Sequence, residues 1–341
     1  MVKKFTENVL ISATNWLGDS IMSMPAIQVF KRRNPDIGVC LLVKKNLIPL
    51  WEMHDSIDYI IQLDEGIEGS LSTSLRIRRM DCSKAFILSN SIRSALMPAL
   101  AGISPRTGMP GHSRSLLLSN IIPDGEAHAN CHQSLEYADI FGLDKGVVEE
   151  ESPNITIPTA TEASALSKAS IGTGDRYVAI MPGAAYGLVK QWPPEHFVET
   201  AKALIHDYSC RALILGSKKE SELCSRVASS IGMQAKSVAG LTSIPELSAI
   251  LRNSLSVICN DSGGMHLASA CGARLVAVFG ITDPIKTGPL GRHFKIITVD
   301  GIIGRREISK DDPDAISILR SIKPQSVIDA AKELMERSSI K

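Results

Sequence analysis

An α/β fold built on parallel sheets, doubled into two lobes, is what this sequence predicts, and three observations carry the prediction. Short apolar runs alternate with amphipathic stretches along the chain, as strand–helix–strand crossovers require. The alternation occurs twice, and residues 149–175 between the two series hold EEESPN, two prolines and a Ser/Ala/Thr-rich run, the composition of a linker with room for one helix. The length, 341 residues, is about two domains' worth of chain at ~100–200 residues each, and a single core of that size tends to split.

Residues 8–14 (NVLISAT) read as a buried first strand. Residues 19–33 then place apolar side chains at 21, 22, 24, 27, 29 and 30, a helical face that ends in Lys31, Arg32 and Arg33, where cations complement the helix dipole. Runs at 39–43, 59–63 and 84–88 are the next strands, with helices expected at 46–53, 70–79 and 92–101. The second series is cleaner. Strands at 177–181, 211–215, 255–259 and 274–279 alternate with helices at 194–206, 220–231, 244–253 and 264–271. The segment 324–337 opens on a proline, suited to a first helical turn, and is amphipathic. The cut falls near residue 160, giving an N-terminal lobe over 1–160 and a C-terminal lobe over 161–341.

Composition narrows the function classes. Apolar residues make up 44% and charged residues 21%, which is globular, and the net charge of +1 provides no whole-molecule field to gather nucleic acid. Aromatics at 4% also disfavour a stacking platform for single strands. The seven cysteines are scattered without a CxxC pair, so neither a disulfide framework nor a zinc site is indicated, and a reducing cytosol fits them. The opening MVKKFTENVLISA is expected to be a strand and not a signal peptide, because Glu7 and Asn8 interrupt the apolar core. No run of ~18 apolar residues is long enough to span a bilayer.

Neutrality is a cancellation. Residues 1–165 carry 15 basic and 19 acidic side chains, and the remainder 22 and 17. Within the acidic half, residues 71–120 nonetheless hold seven basic side chains against the single acid Asp81. Arg76, Arg78 and Arg79 fit a solvated helix face. Arg93, Arg106 and Arg114 lie around the ends of predicted elements and are the better candidates for an anionic partner.

Five turns follow predicted strands, where ligands meet a doubly wound sheet. Asn15-Trp16-Leu17-Gly18-Asp19-Ser20 lacks the G-x-G-x-x-G dinucleotide fingerprint, and Asp19 fits either a helix N-cap or an acceptor of a hydroxyl proton. Met181 to Pro193 (MPGAAYGLVKQWP) is rich in small residues and carries Lys190 just before a helix start, a loop able to hold an anion. Asn260-Asp261-Ser262-Gly263-Gly264-Met265-His266 enters a helix whose first N–H groups suit phosphate. Equally, Asp261 fits a cap and His266 a core histidine. Gly216-Ser217-Lys218-Lys219-Glu220-Ser221-Glu222 places acids at a strand end, where a ribose is commonly held, and also where the helix dipole favours them. Gly280-Ile281-Thr282-Asp283-Pro284 forms a turn after the next strand.

Taken in order, these stretches resemble glycosyltransferase family 9, the ADP-heptose:lipopolysaccharide heptosyltransferases, and within it the heptosyltransferase II branch. The resemblance runs through NWLGDSIMSMPAI, NSIRSALMPALAGISPRTGMPGHSRSLLL, PGAAYGLVKQWPPEHF, LGSKKE and NDSGGMHLASACGARLVAVFGITDP, nearly the whole chain. It implies a GT-B fold, two Rossmann-like doubly wound lobes facing a central cleft, with the last helix able to pack back on the N-terminal lobe. It implies acceptor binding by the first lobe, nucleotide-sugar binding by the second, and inverting transfer of L-glycero-D-manno-heptose from ADP-heptose to a heptose of the lipopolysaccharide inner core.

By the same resemblance Asp19 is the catalytic base, and Lys190 contacts the diphosphate. Glu220, with Glu222 two residues on, takes the ribose, and Asp261, Ser262, Gly263, Gly264 and His266 lie at the diphosphate and sugar. Gly264 stands where the family more often has a bulkier Leu or Pro. Arg93, Arg106 and Arg114 would meet the anionic, lipid-linked core oligosaccharide. No metal or cofactor is called for, and nucleic acid is not a partner. The implied location is the cytoplasmic face of the inner membrane, with peripheral contact. The competing readings are a GT-B transferase or epimerase acting on another nucleotide sugar, and a non-catalytic two-lobed sugar-binding protein. A nicotinamide-dependent oxidoreductase is disfavoured by the missing fingerprint.

Overall fold

The computed structural model describes residues 4–111, 113–123, 131–172, 174–299, 309 and 312–336. The chain divides into two units, Met1–Thr156 and Ile157–Lys341.

The first unit runs β1 (Glu7–Ser12), α1 (Leu17–Arg33), β2 (Ile37–Lys44), α2 (Ile48–Trp51), β3 (Tyr59–Leu63), α3 (Gly66–Arg79), β4 (Cys82–Ile87), α4 (Ile92–Leu100), β5 (Arg106–Gly108), β6 (Asn120–Ile121), α5 (Ser134–Phe141) and α6 (Lys145–Glu149). Its sheet is parallel, in the order β3-β2-β1-β4-β5-β6. The central strands are near-continuous apolar runs because helices cover both faces: Val9, Leu10, Ile11 and Val39 to Val43 are all buried. Leu10, Cys40, Ile61, Ile77, Ala95 and Met97 share one core cluster, which α3 and α4 help to form. Elsewhere Phe30, Phe86 and Phe141 tie α1, β4 and α5 together, with ring centroids 4.6–5.3 Å apart.

The second unit runs α7 (Thr159–Ala169), β7 (Tyr177–Met181), α8 (Pro194–Tyr208), β8 (Arg211–Ile214), α9 (Ser221–Ile231), β9 (Ala235–Ser237), α10 (Ile244–Asn253), β10 (Val257–Asn260), α11 (Gly263–Ala270), β11 (Leu275–Val278), α12 (Pro284–Thr287), β12 (Phe294–Ile297), α13 (Pro313–Ser321) and α14 (Pro324–Glu336). The sheet, again parallel, has the order β9-β8-β7-β10-β11-β12. Each unit therefore repeats the doubly wound 3-2-1-4-5-6 order of dinucleotide-binding folds, without the glycine fingerprint that accompanies it there.

Several elements differ from the sequence expectations. α3 starts at Gly66, earlier than 70, and α5 has no counterpart among the expected elements, whereas α7 is the one helix for which the 149–175 segment has room. β5, β6, β9 and β12 add the outer strands. α14 packs against α8, β11 and β12 of its own unit, where Val327, Ala331 and Leu334 join the core with Trp192 and Phe197. Residue 337, the expected end of that helix, lies outside the described residues. Among the described residues no helix is long and apolar enough to cross a membrane.

Candidate functional site

In a doubly wound sheet the strand order reverses at one point, and the loops leaving the strand ends there open a crevice. In the first unit this point lies between β1 and β4. The two loops are tied across it: Asn15 Nδ2 donates to Ser89 Oγ at 2.7 Å. Ser91, which caps α4 by accepting from the Ser94 N–H, receives a bond from Ser89 Oγ.

Asp19 sits in the first turn of α1, at this edge. The N-cap position is Trp16, whose indole cannot cap, so the capping role open to Asp19 in the sequence does not apply. Its Oδ1 accepts from Gln133 Nε2 at 3.3 Å, and the same nitrogen donates to the Tyr137 hydroxyl at 3.2 Å. Tyr137 is buried. Burial above all, and then the charge of Asp19, hold its phenol above the ordinary value, so it stays protonated. Gln133 and Tyr137 were invisible in the sequence, because a Gln just before an unassigned helix and an apolar-face Tyr carry no motif.

The three arginines part company. Arg114 is fully buried, its guanidinium donating to the Ser89 and Met109 carbonyls while Nε finds no partner among the described residues. The expectation that it meets an acceptor is corrected: it braces the loops at the strand ends from inside, and burial lowers its pKa. Arg106 bonds to the Leu117 and Ile103 carbonyls and so holds the segment after α4. Arg93 remains half-exposed. It donates to the Asp64 carbonyl and, at 3.3 Å, to Ser70 Oγ, and lines a cavity of about 760 Å³ whose other charged residues are Lys44, Lys45, Asp64 and Glu65.

In the second unit the reversal lies between β7 and β10, and the loops there hold the expected residues. Lys190, from the β7–α8 loop, pairs with Asp261 of the β10–α11 loop at 2.6 Å, and Thr282 Oγ1 donates to the same Asp261 oxygen at 2.8 Å. Asp261 is nearly buried and is not a cap; it fixes Lys190. Asn260, wholly buried, accepts from the Trp192 N–H and donates to the Pro182 carbonyl, pinning both loops. Ser262 is the N-cap of α11 without a side-chain bond, and while the Met265 N–H donates to the Ser262 carbonyl at 3.1 Å, the N–H groups of Gly263 and Gly264 lie at this edge without helical acceptors. A Cβ at Gly264 would collide with the tip of Met181, which occupies the space a bulkier residue would need. His266 is buried one turn further in, as the core reading of that residue had it.

Glu220 closes a capping box with Ser217, both the N–H and Oγ of Ser217 donating to Oε2 at 2.7 Å. Its carboxylate lies over Gly183, where a Cβ would overlap Oε1. Glu222 is exposed on α9. Of the two acids, Glu220 is the one at the 182–187 loop.

The model of glycosyltransferase family 9 (heptosyltransferase) matches residues 70–311. The chain belongs to that family. It is 27% identical to lipopolysaccharide heptosyltransferase 2 of Escherichia coli K12 over 96% of this chain and 98% of that one. With the lipooligosaccharide heptosyltransferase 2 of Haemophilus influenzae the identity is 28%, over 97% of this chain and 100% of the other. The solved structure of E. coli ADP-heptose lipopolysaccharide heptosyltransferase II superposes with a TM-score of 0.84 at 23% identity, covering 97% and 99% of the two chains. The fold of this family 9 glycosyltransferase is thus GT-B, with both Rossmann-like units present.

Proposed function

We propose that this glycosyltransferase moves L-glycero-D-manno-heptose from ADP-heptose to a heptose of the lipopolysaccharide inner core, as a heptosyltransferase of the second type. Full-length similarity to heptosyltransferase 2 proteins supports the substrates. The observation that carries the chemistry is the Asp19 carboxylate at the carboxyl edge of the first sheet, beside its reversal point and held by Gln133.

Asp19 takes the proton of the acceptor hydroxyl as that oxygen attacks the anomeric carbon, which inverts through an oxocarbenium-like state. Negative charge develops on the departing ADP. Lys190, oriented by Asp261, and the N–H groups that open α11 stabilise it. Glu220 accepts from the ribose hydroxyls. Arg93, with Lys44 and Lys45 around the same cavity, meets the anionic groups of the lipid-linked acceptor. No step requires a metal, so transfer persists in EDTA. The enzyme works at the cytoplasmic face of the inner membrane, in peripheral contact with it.

The test is ADP release from ADP-heptose with and without a heptose-bearing core acceptor. Asp19→Asn lowers kcat at least ~10²-fold while donor affinity, read by titration calorimetry, stays within about twofold. Lys190→Ala weakens donor binding and lowers kcat by ~10²-fold or more. An Asp19→Asn enzyme that turns over normally would overturn the assignment.

A further inference from the structure

α3 is built inside out. The side chains it buries are Thr73, Ser74 and Ile77, while Ile67, Leu71 and Leu75 stand 84%, 57% and 57% exposed. Spaced four residues apart, these three form one stripe, and Arg78, eleven residues after Ile67, returns to within about 20° of it. Single exposed leucines are ordinary on a protein surface, but an ordered stripe on one helix face marks a surface that meets something apolar.

The neighbouring helix extends the face. α4 packs beside α3, its Arg93 bonded to Ser70 and the Ser74 hydroxyl bonded to the Met97 carbonyl, and it exposes Ile92 and Leu100. The loop that packs on α4 exposes Leu116 almost completely.

The charge around the stripe chooses the partner. Arg78 and Arg79, exposed on the last turn of α3, have no ion pair among the described residues, unlike Arg76, which is bonded to Asp64. Acids stand at the other end of the helix, where Glu65 is exposed just before α3 and Glu68 lies in its first turn, whereas from residue 71 to 120 the only acid is Asp81. Aliphatic side chains bordered by unpaired arginines are complementary to an anionic bilayer, whose acyl boundary takes the former and whose headgroups take the latter. A soluble acidic protein would be matched by the arginines and not by the stripe.

We propose that the exposed face of α3, with Ile67, Leu71, Leu75, Arg78 and Arg79, is the surface by which this enzyme docks on an anionic membrane. The inference deepens the lipid-linked acceptor reading and rests on it for its purpose. α3 begins directly after the carboxyl end of β3, at the edge of the sheet that bears Asp19, and runs back to the opposite edge before β4, so docking lays the outer face of α3 on the lipid with Ile67 at the Asp19 end and Arg78 and Arg79 at the other.

The test is flotation of the full-length protein with phosphatidylcholine vesicles, with and without phosphatidylglycerol, alongside ADP release with a soluble, delipidated core acceptor. The wild type partitions onto the phosphatidylglycerol vesicles. Ile67→Gln/Leu71→Gln/Leu75→Gln, which keeps good helix formers at exposed positions, weakens partitioning at least about tenfold. Arg78→Gln/Arg79→Gln removes most of its dependence on phosphatidylglycerol and on salt. Both variants release ADP at the wild-type rate with the soluble acceptor. A triple variant that floats like the wild type overturns the proposal, as does a wild type that ignores vesicles. So does a wild-type dimer that the triple Gln variant dissolves without any vesicle binding, since a second copy would then cover the face. Absence of ADP release by a wild type that partitions as described would overturn the heptosyl-transfer reading and leave this surface standing.

Discussion

One carboxamide serves two partners at the Asp19 edge. Gln133 Nε2 has two hydrogens, one directed at Asp19 Oδ1 and one at the Tyr137 hydroxyl, so Asp19 is oriented by a residue that is itself held by a buried phenol. Hydrogen bonds to a carboxylate favour its charged form. Gln133→Leu is therefore expected to lower kcat by ~3- to 10-fold, the ~0.7–1.4 kcal/mol that one ordinary hydrogen bond nets, and to move the acid limb of the kcat–pH profile upward, while donor affinity is unchanged. A merely structural Gln133 would alter stability and leave the pH profile in place. In the second unit Gly183→Ala puts a Cβ into Glu220 Oε1. The carboxylate gives way and its bonds to Ser217 go with it, so stability falls by about 1 kcal/mol, the scale of a lost cap, and donor KM rises several-fold if Glu220 holds the ribose. The residues legible in the sequence were those that sit in turns after strands. Arg114 was misread because a guanidinium braced on carbonyls inside a loop has the same sequence context as one facing a ligand.

At the scale of elements, helix and strand identities followed from periodicity wherever an element was long and packed by its own side chains. β3, β7 and α10 were read with the ends they have. The outer strands β5, β6 and β9, at two or three residues, are too short to show alternation, and their pairing is decided by the neighbouring strand. α7 was half-hidden for another reason: its Ser/Ala/Thr composition is loop-like, and tertiary bonds stabilise it. Glu246 supplies them. It accepts from Ser164 and Lys168 of α7 while closing a capping box with Ser243 at the start of α10. Burial by itself would raise the Glu246 pKa, but Lys168 and these hydroxyl and amide donors outweigh it and hold the carboxyl at about 2. A folded value below the unfolded one means that this contribution is complete above about pH 4.5 and is lost as the pH falls toward 2. Glu246→Ala is expected to cost about 1–2 kcal/mol in urea unfolding at pH 7, the range of a lost cap and its bonds. The difference from the wild type should shrink when the same titration is run near pH 2.

At the scale of the whole molecule, the two units repeat one topology and keep separate cores, and the near-zero net charge conceals halves of opposite sign. That doubling was legible because alternating runs occur twice. The packing of the last helix was not, since an amphipathic 13-residue helix shows that it has a partner without showing which. α14 joins the core of the second unit, beside Trp192, whose indole N–H donates to the Ile322 carbonyl at 3.0 Å and so ties the β7–α8 loop to the chain just before α14. The loop that bears Lys190 thus depends on the C-terminal segment of its own unit. Two outcomes follow for a fragment spanning residues 157–341. With α14 present, it unfolds cooperatively in urea and binds ADP within a few-fold of the full chain, while releasing none from ADP-heptose because Asp19 is absent. Ending the fragment at 322 instead removes α14 from the core and is expected to abolish both the cooperative transition and the ADP titration signal. A fragment over 157–341 that folds cooperatively but gives no ADP signal would show that the donor site needs residues from the first unit.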